Sequence, residues 1–212
     1  MTLHRRALLA SAGLGAALTT LGGITWALLR PPAGTDDLTI EDVLFDPDQP
    51  VLGNPQGDVT VVEFFDYQCP FCKRGHSDLM AEVEADGNVR LVMKDWPIFG
   101  GASVLASQLV LGAVEEGTYV AAQAALMATP ARLSEDDVRS TLMAAGLDPA
   151  AMLAAYRQDR ERWDGLMDRN SRQAAALGLQ GTPAFIIGQT LLPGAPDRDR
   201  LRAAIAAARG SA

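Results

Sequence analysis

The apolar and polar positions change period several times along the chain. After His4, Arg5 and Arg6, residues Ala7 to Leu29 form 23 positions without a charge, closed by Arg30, Pro31 and Pro32. A short basic flank before an apolar run is the pattern of an export signal, and the run is also long enough for a membrane-crossing helix, at roughly 20 residues per crossing. Residues 1–32 are therefore read as either a cleaved signal or a retained anchor. Val59 to Phe65, Val-Thr-Val-Val-Glu-Phe-Phe, is β-branched and aromatic and predicts a strand. Apolar positions then recur at helical spacing through Cys72, His76, Leu79, Met80 and Val83, so a helix follows, with Pro70 in its first turn.

Asn88 to Pro97 predicts a second strand and Gly181 to Ile187 a third, with Gln189 to Leu192 returning as its hairpin partner after Gly188. Pro196 to Arg209, rich in Ala and Leu, predicts a closing helix. Residues 102–180 read mostly as helix. Ser103 to Glu116 and Thr118 to Ala128 are two such segments, and Ser134-Glu135-Asp136-Asp137 opens another with a capping-box-like pattern. Asp148-Pro149 places an N-cap before an N1 proline, and the helix it starts runs toward Gly178. Strands interleaved with helices make this an α/β chain.

Charge divides the molecule. Residues 1–32 carry three Arg and no acid, whereas the remainder carries 15 Lys/Arg against 26 Asp/Glu, a net −11. A domain this acidic has no surplus cations to replace counterions on a phosphate backbone, which excludes nucleic acid as a partner. Arg5-Arg6 ahead of Ala7-Leu8-Leu9 has the form of a twin-arginine export signal. Everything beyond residue 33 is expected outside the cytoplasm, in an oxidising compartment. Residues 33–50 hold six acids between Asp36 and Asp48 and are read as a solvated acidic linker. The seven methionines are too scattered for a copper-binding stripe and read as core filling.

Only two cysteines occur, in Cys69-Pro70-Phe71-Cys72. A structural zinc site needs about four ligands, and His76 is the only histidine after residue 32. A structural disulfide closing two residues constrains almost no loop. A redox pair suits the context better. Cys69 falls at a helix N-terminus, where the dipole and free amides favour a thiolate, and Lys73 and Arg74 add positive charge within a turn. Cys72 falls on the apolar face. An exposed nucleophile and a buried resolving thiol are what thiol–disulfide exchange requires. Far downstream, Pro183 begins a strand, an awkward position that a cis Thr182–Pro183 peptide would explain.

Glu-Phe-Phe in a strand, Cys-Pro-Phe-Cys opening a helix and a distant Gly-Thr-Pro opening a hairpin resemble the DsbA-type branch of the thioredoxin superfamily. Val51 to Pro55, the stretch through Cys72-Lys73-Arg74, Lys94-Asp95-Trp96-Pro97 and Gly181-Thr182-Pro183 look most like the bacterial suppressors of copper sensitivity and related periplasmic DsbA-like proteins. The resemblance covers residues 50–210. It implies a thioredoxin fold with a helical subdomain inserted at about residues 102–180, and no cofactor or metal. It implies that Cys69 attacks, Cys72 resolves, Pro183 is cis and packed against the pair, and Thr182 offers backbone groups to an extended substrate.

The resemblance also places a buried carboxylate at Glu63, six residues before Cys69. Burial would raise its pKa so that it could shuttle the Cys72 proton. The plainer reading has Glu63 facing solvent or pairing with Lys94, which is counted with it among the supporting residues. His76, one turn beyond Cys72, is read as packing on the helix rather than tuning the thiols. Phe71 stands where DsbA itself has a histidine, and it cannot hydrogen-bond a thiolate, so a milder oxidant is expected.

The function these residues predict is exported protein thiol–disulfide exchange, with thiol- or disulfide-bearing proteins as substrates and a membrane redox partner. Its rivals are a disulfide isomerase or reductase kept reduced by a membrane donor, and a non-enzymatic chaperone or copper-tolerance module.

Overall fold

The computed structural model describes residues 38–130 and 132–210; the expected export signal at 1–32 lies outside the described residues. In chain order the elements are α1 (Ile40–Leu44), β1 (Val51–Gly53), β2 (Val59–Phe65), α2 (Pro70–Asp86), β3 (Val89–Asp95), α3 (Gly101–Gly112), α4 (Tyr119–Met127), α5 (Glu135–Ala144), α6 (Pro149–Gln158), α7 (Arg160–Ala176), β4 (Ala184–Ile187), β5 (Thr190–Pro193) and α8 (Arg198–Arg209). The sheet has the order β1-β3-β2-β4-β5, with β2 and β3 parallel and the other neighbours antiparallel. This is the thioredoxin core expected from the sequence, with α3 to α7 inserted between β3 and β4.

Side chains alternate across the central strands, and all seven positions of β2 are buried. One face sends Val61, Phe65, Leu91, Met93, Phe185 and Ile187 into the larger core, where Leu79 and Val83 of α2, Leu201 and Ile205 of α8 and the inserted helices cover them. The other face sends Val62, Phe64, Val92, Ala184 and Ile186 against Val43 and Leu44 of α1 and Ala174 of α7.

Two of the inserted helices start where their caps predict. Ser134 and Asp137 close a reciprocal capping box on α5, and the Asp148 carboxylate accepts from the Ala150 and Ala151 amides on α6. Gly112 lets α3 meet α6 closely, since a Cβ there would collide with the Met152 carbonyl.

Two expectations need correction. The helix predicted from Asp148 toward Gly178 is two helices, broken at Asp159, which leaves helical geometry at φ −119° and ψ 35°. The break redirects the chain, because α6 packs on α3 whereas α7 crosses to β3. The acidic stretch before residue 50 is not simply a solvated linker either. From Leu38 it folds onto the sheet, and Asp46 is buried, accepting from Lys94 Nζ at 3.0 Å, Arg169 Nε at 3.1 Å and Gln173 Nε2 at 3.0 Å. Four donors supply the hydrogen bonds that a buried carboxylate needs, the last being Gln49 Nε2 at 3.2 Å.

Candidate active site

Strand β2 ends at Phe65, and the next four residues form the turn that carries the first cysteine. Asp66 builds that turn. Its carboxylate accepts from the amides of Gln68 (2.7 Å), Ile98 (2.7 Å) and Phe99 (3.1 Å) and from the Ser103 hydroxyl (2.7 Å). Its carbonyl accepts from the Cys69 amide at 3.0 Å. Gln68 reaches the other way, its Oε1 accepting from the Leu133 amide at 2.6 Å. The loop after β3 and the segment before α5 are thus both tied to the residues preceding Cys69.

Cys69 is the N-cap of α2, with extended backbone and Pro70 at the first helical position. Both cysteines are free thiols. The Cys69 thiol is held down at about 5, first by a hydrogen bond from the Cys72 thiol, then by Thr182 and the amides of Cys72 and Phe71; partial burial opposes these. Cys72, one helical turn inward, is pushed far up, first by burial and then by its hydrogen bond to Cys69 and the nearby Glu63 charge. One thiol is set to ionise and the other to stay protonated, the division of labour expected of a nucleophile and a resolving partner.

In accessibility the two differ less than expected. Cys69 and Cys72 are each only 1% exposed, so the nucleophile is not an open thiol. The reason lies in the loop before β4: the Thr182–Pro183 peptide is cis, and Cys69 Sγ lies 3.2 Å from the Thr182 carbonyl. That loop covers the sulfur, and the Gly194 amide returns to the Pro183 carbonyl at 3.0 Å to hold the turn in place.

Glu63 lies on the cysteine side of the sheet. It is buried, its Oε2 has no hydrogen-bond partner, and its carboxyl is pushed up to about 8, first by burial and then by the Cys69 charge. The solvent-facing reading is therefore wrong, and so is the pairing with Lys94. Lys94 pairs in register with Phe64 rather than Glu63 and points to the opposite face, toward Asp46. The structure brings Cys69, Cys72, Glu63, Thr182 and Pro183 together and leaves Lys94 outside the site. His76 is half-buried on α2, lowered by burial, and its Nδ1 has no partner.

Sequence reasoning missed three acids. Asp66 carries an Asx-turn signal, an Asp two residues before the Gln68 amide that it accepts from. Asp46 was assigned to solvent. Asp95 sits on the Glu63 side of β3, fully buried, and its carboxyl is pushed up to about 7 first by burial and then by the Asp66 charge.

This geometry has close parallels. The DSBA-like thioredoxin domain model matches residues 60–206. A thioredoxin-like oxidoreductase from Silicibacter pomeroyi DSS-3 superposes with a TM-score of 0.77 at 37% identity, covering 82% of this chain and 100% of that one. The thiol-disulfide exchange protein alpha-DsbA2 of Wolbachia pipientis gives 0.73 at 26% identity, over 79% and 90% of the two chains. The catalytic domain of Proteus mirabilis ScsC gives 0.71 at 28% identity, over 80% and 94%. Disulfide bond formation protein D of Bacillus subtilis (strain 168) is 41% identical over 63 residues, a match spanning only 28% of either chain. Fold, thiol pair and family model agree, and the chain belongs to the DsbA-like thioredoxin domain family of thiol–disulfide oxidoreductases.

Proposed function

We propose that this chain is an exported protein thiol–disulfide oxidoreductase working through Cys69 and Cys72. The observation that carries the reading is the asymmetry of the pair, with one thiol at about 5 at a helix start and the other pushed far up beside a buried acid. In the reducing direction the Cys69 thiolate attacks a client disulfide. A Cys69–client bond forms, the client bond breaks, and one client sulfur leaves as a thiolate. Cys72 then loses its proton to Glu63 and attacks Cys69 Sγ, releasing the second client sulfur. The protein is left oxidised as Cys69–Cys72 and the client is reduced by two electrons. Run backwards, the same steps donate a disulfide.

Glu63 suits the second step because its proton affinity depends on Cys69. While Cys69 is a thiolate, its charge helps keep Glu63 protonated. Once Cys69 is tied up in a mixed disulfide that charge is gone, and Glu63 ionises more readily when a base is required. The Thr182 carbonyl beside Cys69 Sγ is placed to pair with an extended client strand. Export rests on the apolar run Ala7 to Leu29 behind Arg5 and Arg6. A membrane redox partner would reset the pair after each turnover.

The test is the redox equilibrium of the purified chain against glutathione, with Cys69→Ala and Cys72→Ala alongside. Exchange should give a single two-electron transition, a trapped mixed disulfide in Cys72→Ala, and none in Cys69→Ala. A pair that never equilibrates, with undiminished protection of an unfolded client in the double variant, would replace the enzyme by a chaperone.

A further inference from the structure

Cations gather around the thiol pair of an otherwise acidic domain. Lys73 and Arg74 lie at the end of the first turn and the start of the second turn of α2, and Arg132 adjoins Leu133, whose amide is held by Gln68. The Arg74 guanidinium lies 4.5 Å from the ring centre of Phe71, and that of Arg132 lies 4.9 Å from the ring centre of Phe99. Both rings face solvent, Phe71 at 56% and Phe99 at 38% exposed. Asp66 fastens the Phe99 amide to the cysteine turn, so both stacked pairs border the site.

Among the described residues neither Arg74 nor Arg132 forms an ion pair, whereas Arg162, Arg169, Arg198, Arg202 and Arg209 each hold carboxylates. Of the acids nearby, Asp66 is filled by its four donors and Asp137 caps α5. Beside Arg74 a groove of about 390 Å³ runs between α2 and the segment after α4, lined by Pro70, Lys73, His76, Met127 and Thr129. Lys73 Nζ donates to Thr129 Oγ1 at 2.6 Å across it.

A guanidinium stacked on an exposed ring keeps its N–H edge free for a carboxylate. With net −11 after residue 32, the domain as a whole repels acidic chains, yet at 0.1 M salt charges are felt over only about 10 Å. A client segment at Cys69 therefore meets the local cations before the distant acids. We propose that the thiol site selects client segments bearing Asp or Glu beside the reacting cysteine, with Arg74 and Arg132 taking those carboxylates. This rests on the exchange reading above and names its client class.

The test measures how fast cysteine peptides flanked by Glu, Ala or Lys reduce the Cys69–Cys72 disulfide of the full chain. The peptide thiolate attacks Cys69 Sγ, the Cys69–Cys72 bond breaks, and Cys72 leaves with the electron pair and takes up a proton. A second peptide thiol then releases the first as a peptide disulfide. Each rate is divided by that peptide's rate with the neutral hydroxyethyl disulfide, which removes differences in thiol acidity. Glu-flanked peptides should exceed Lys-flanked ones by about three- to tenfold at low ionic strength. The ratio should fall toward one in about 1 M salt and in Arg74→Gln/Arg132→Gln, and survive in Arg74→Lys/Arg132→Lys. A ratio of one or below in the unaltered protein, or an acidic preference that the Gln variant keeps, overturns the proposal. Neutral dithiothreitol separates the two readings. If it reduces the disulfide while the peptides show no preference, only the client class is wrong; if it fails as well, exchange itself is wrong.

Discussion

Glu63 lies opposite Met93 and Lys94 opposite Phe64 across the parallel strands β2 and β3, so a single residue of offset puts the two charges on opposite faces of the sheet. Glu63 shares its face with the cysteines, and among the described residues no cation is paired with it to hold it ionised. Its carboxyl is pushed up to about 8, first by burial and then by the Cys69 charge, which favours the protonated form at neutral pH; in the proposed mechanism it turns base once the Cys69 charge is removed.

Replacing that acid should therefore slow resolution and spare attack. Glu63→Gln keeps the shape and removes the proton acceptor. The rate of Cys72 attack on a Cys69–client mixed disulfide should drop by about 10²-fold, a typical loss for a positioned base. In the unaltered protein that rate should climb as pH rises through the Glu63 range, whereas the variant should stay flat until Cys72 itself ionises. Quenched-flow mass spectrometry of the mixed disulfide reads both, and an unchanged pH profile would remove Glu63 from the mechanism.

On the other face, Lys94 and Asp46 form a buried ion pair at 3.0 Å, with Asn170 and Gln173 beside it. Burial lowers Lys94 to about 8 even with Asp46 attached. Removing one partner leaves the other charge unpaired in the interior, so Asp46→Ala should cost about 3–5 kcal/mol in urea unfolding. Asp46→Ala with Lys94→Met should cost less than the two single losses added together, because the stranded charge is gone. Thiol exchange per folded molecule should persist, since the pair lies across the sheet from the cysteines.

The legible parts of this chain are those set by short-range pattern. The β-branched run at Val59–Phe65, the helical spacing after Cys72, the Ser134 capping box and the proline after Thr182 each declare themselves within a few residues. The buried acids do not. Asp46 reads as one more charge in an acidic stretch until Lys94 and Gln173, 48 and 127 residues away, close around it. Asp159 interrupts a run whose apolar positions continue in step through Met152, Tyr156, Trp163 and Met167, so periodicity alone could not find the break. The covering of Cys69 by the Thr182 loop likewise depends on contacts between segments 113 residues apart.

The thiol acidities also bear on redox poise. Cys69 at about 5 falls between the thiol values of about 3.5 and 7 that accompany strong oxidants and reductants of this chemistry. A more acidic thiolate stabilises the reduced form and raises the potential. The purified chain should therefore titrate against glutathione between roughly −120 and −270 mV. Phe71, which carries no donor, is the handle: Phe71→His should move the potential toward the oxidising end and lower the Cys69 pKa, followed by the ultraviolet absorbance of the thiolate. A fall in potential with that variant would break the link between Cys69 acidity and poise.

Asp95 should make the fold itself sensitive to pH. Its carboxyl, ordinarily at 3.8, is pushed up to about 7 by burial and by the Asp66 charge, and the Ser107 hydroxyl offsets only part of this. Between those two values the folded chain keeps a proton that the unfolded chain has lost. Here the folded state binds more protons, so stability is greatest at the acid end, falls as pH rises through this window and levels off above it. At about 1.4 kcal/mol per unit the change amounts to a few kcal/mol. Asp95→Asn holds the site neutral at every pH. Urea unfolding of the oxidised protein, in which neither thiol titrates, should show the Asn variant gaining on the unaltered chain as pH goes from 4 to 7, values roughly spanning the window. Parallel curves for the two proteins would mean that Asp95 is not proton-bound in the folded state, and that water or a rearranged Ser107 meets its charge instead.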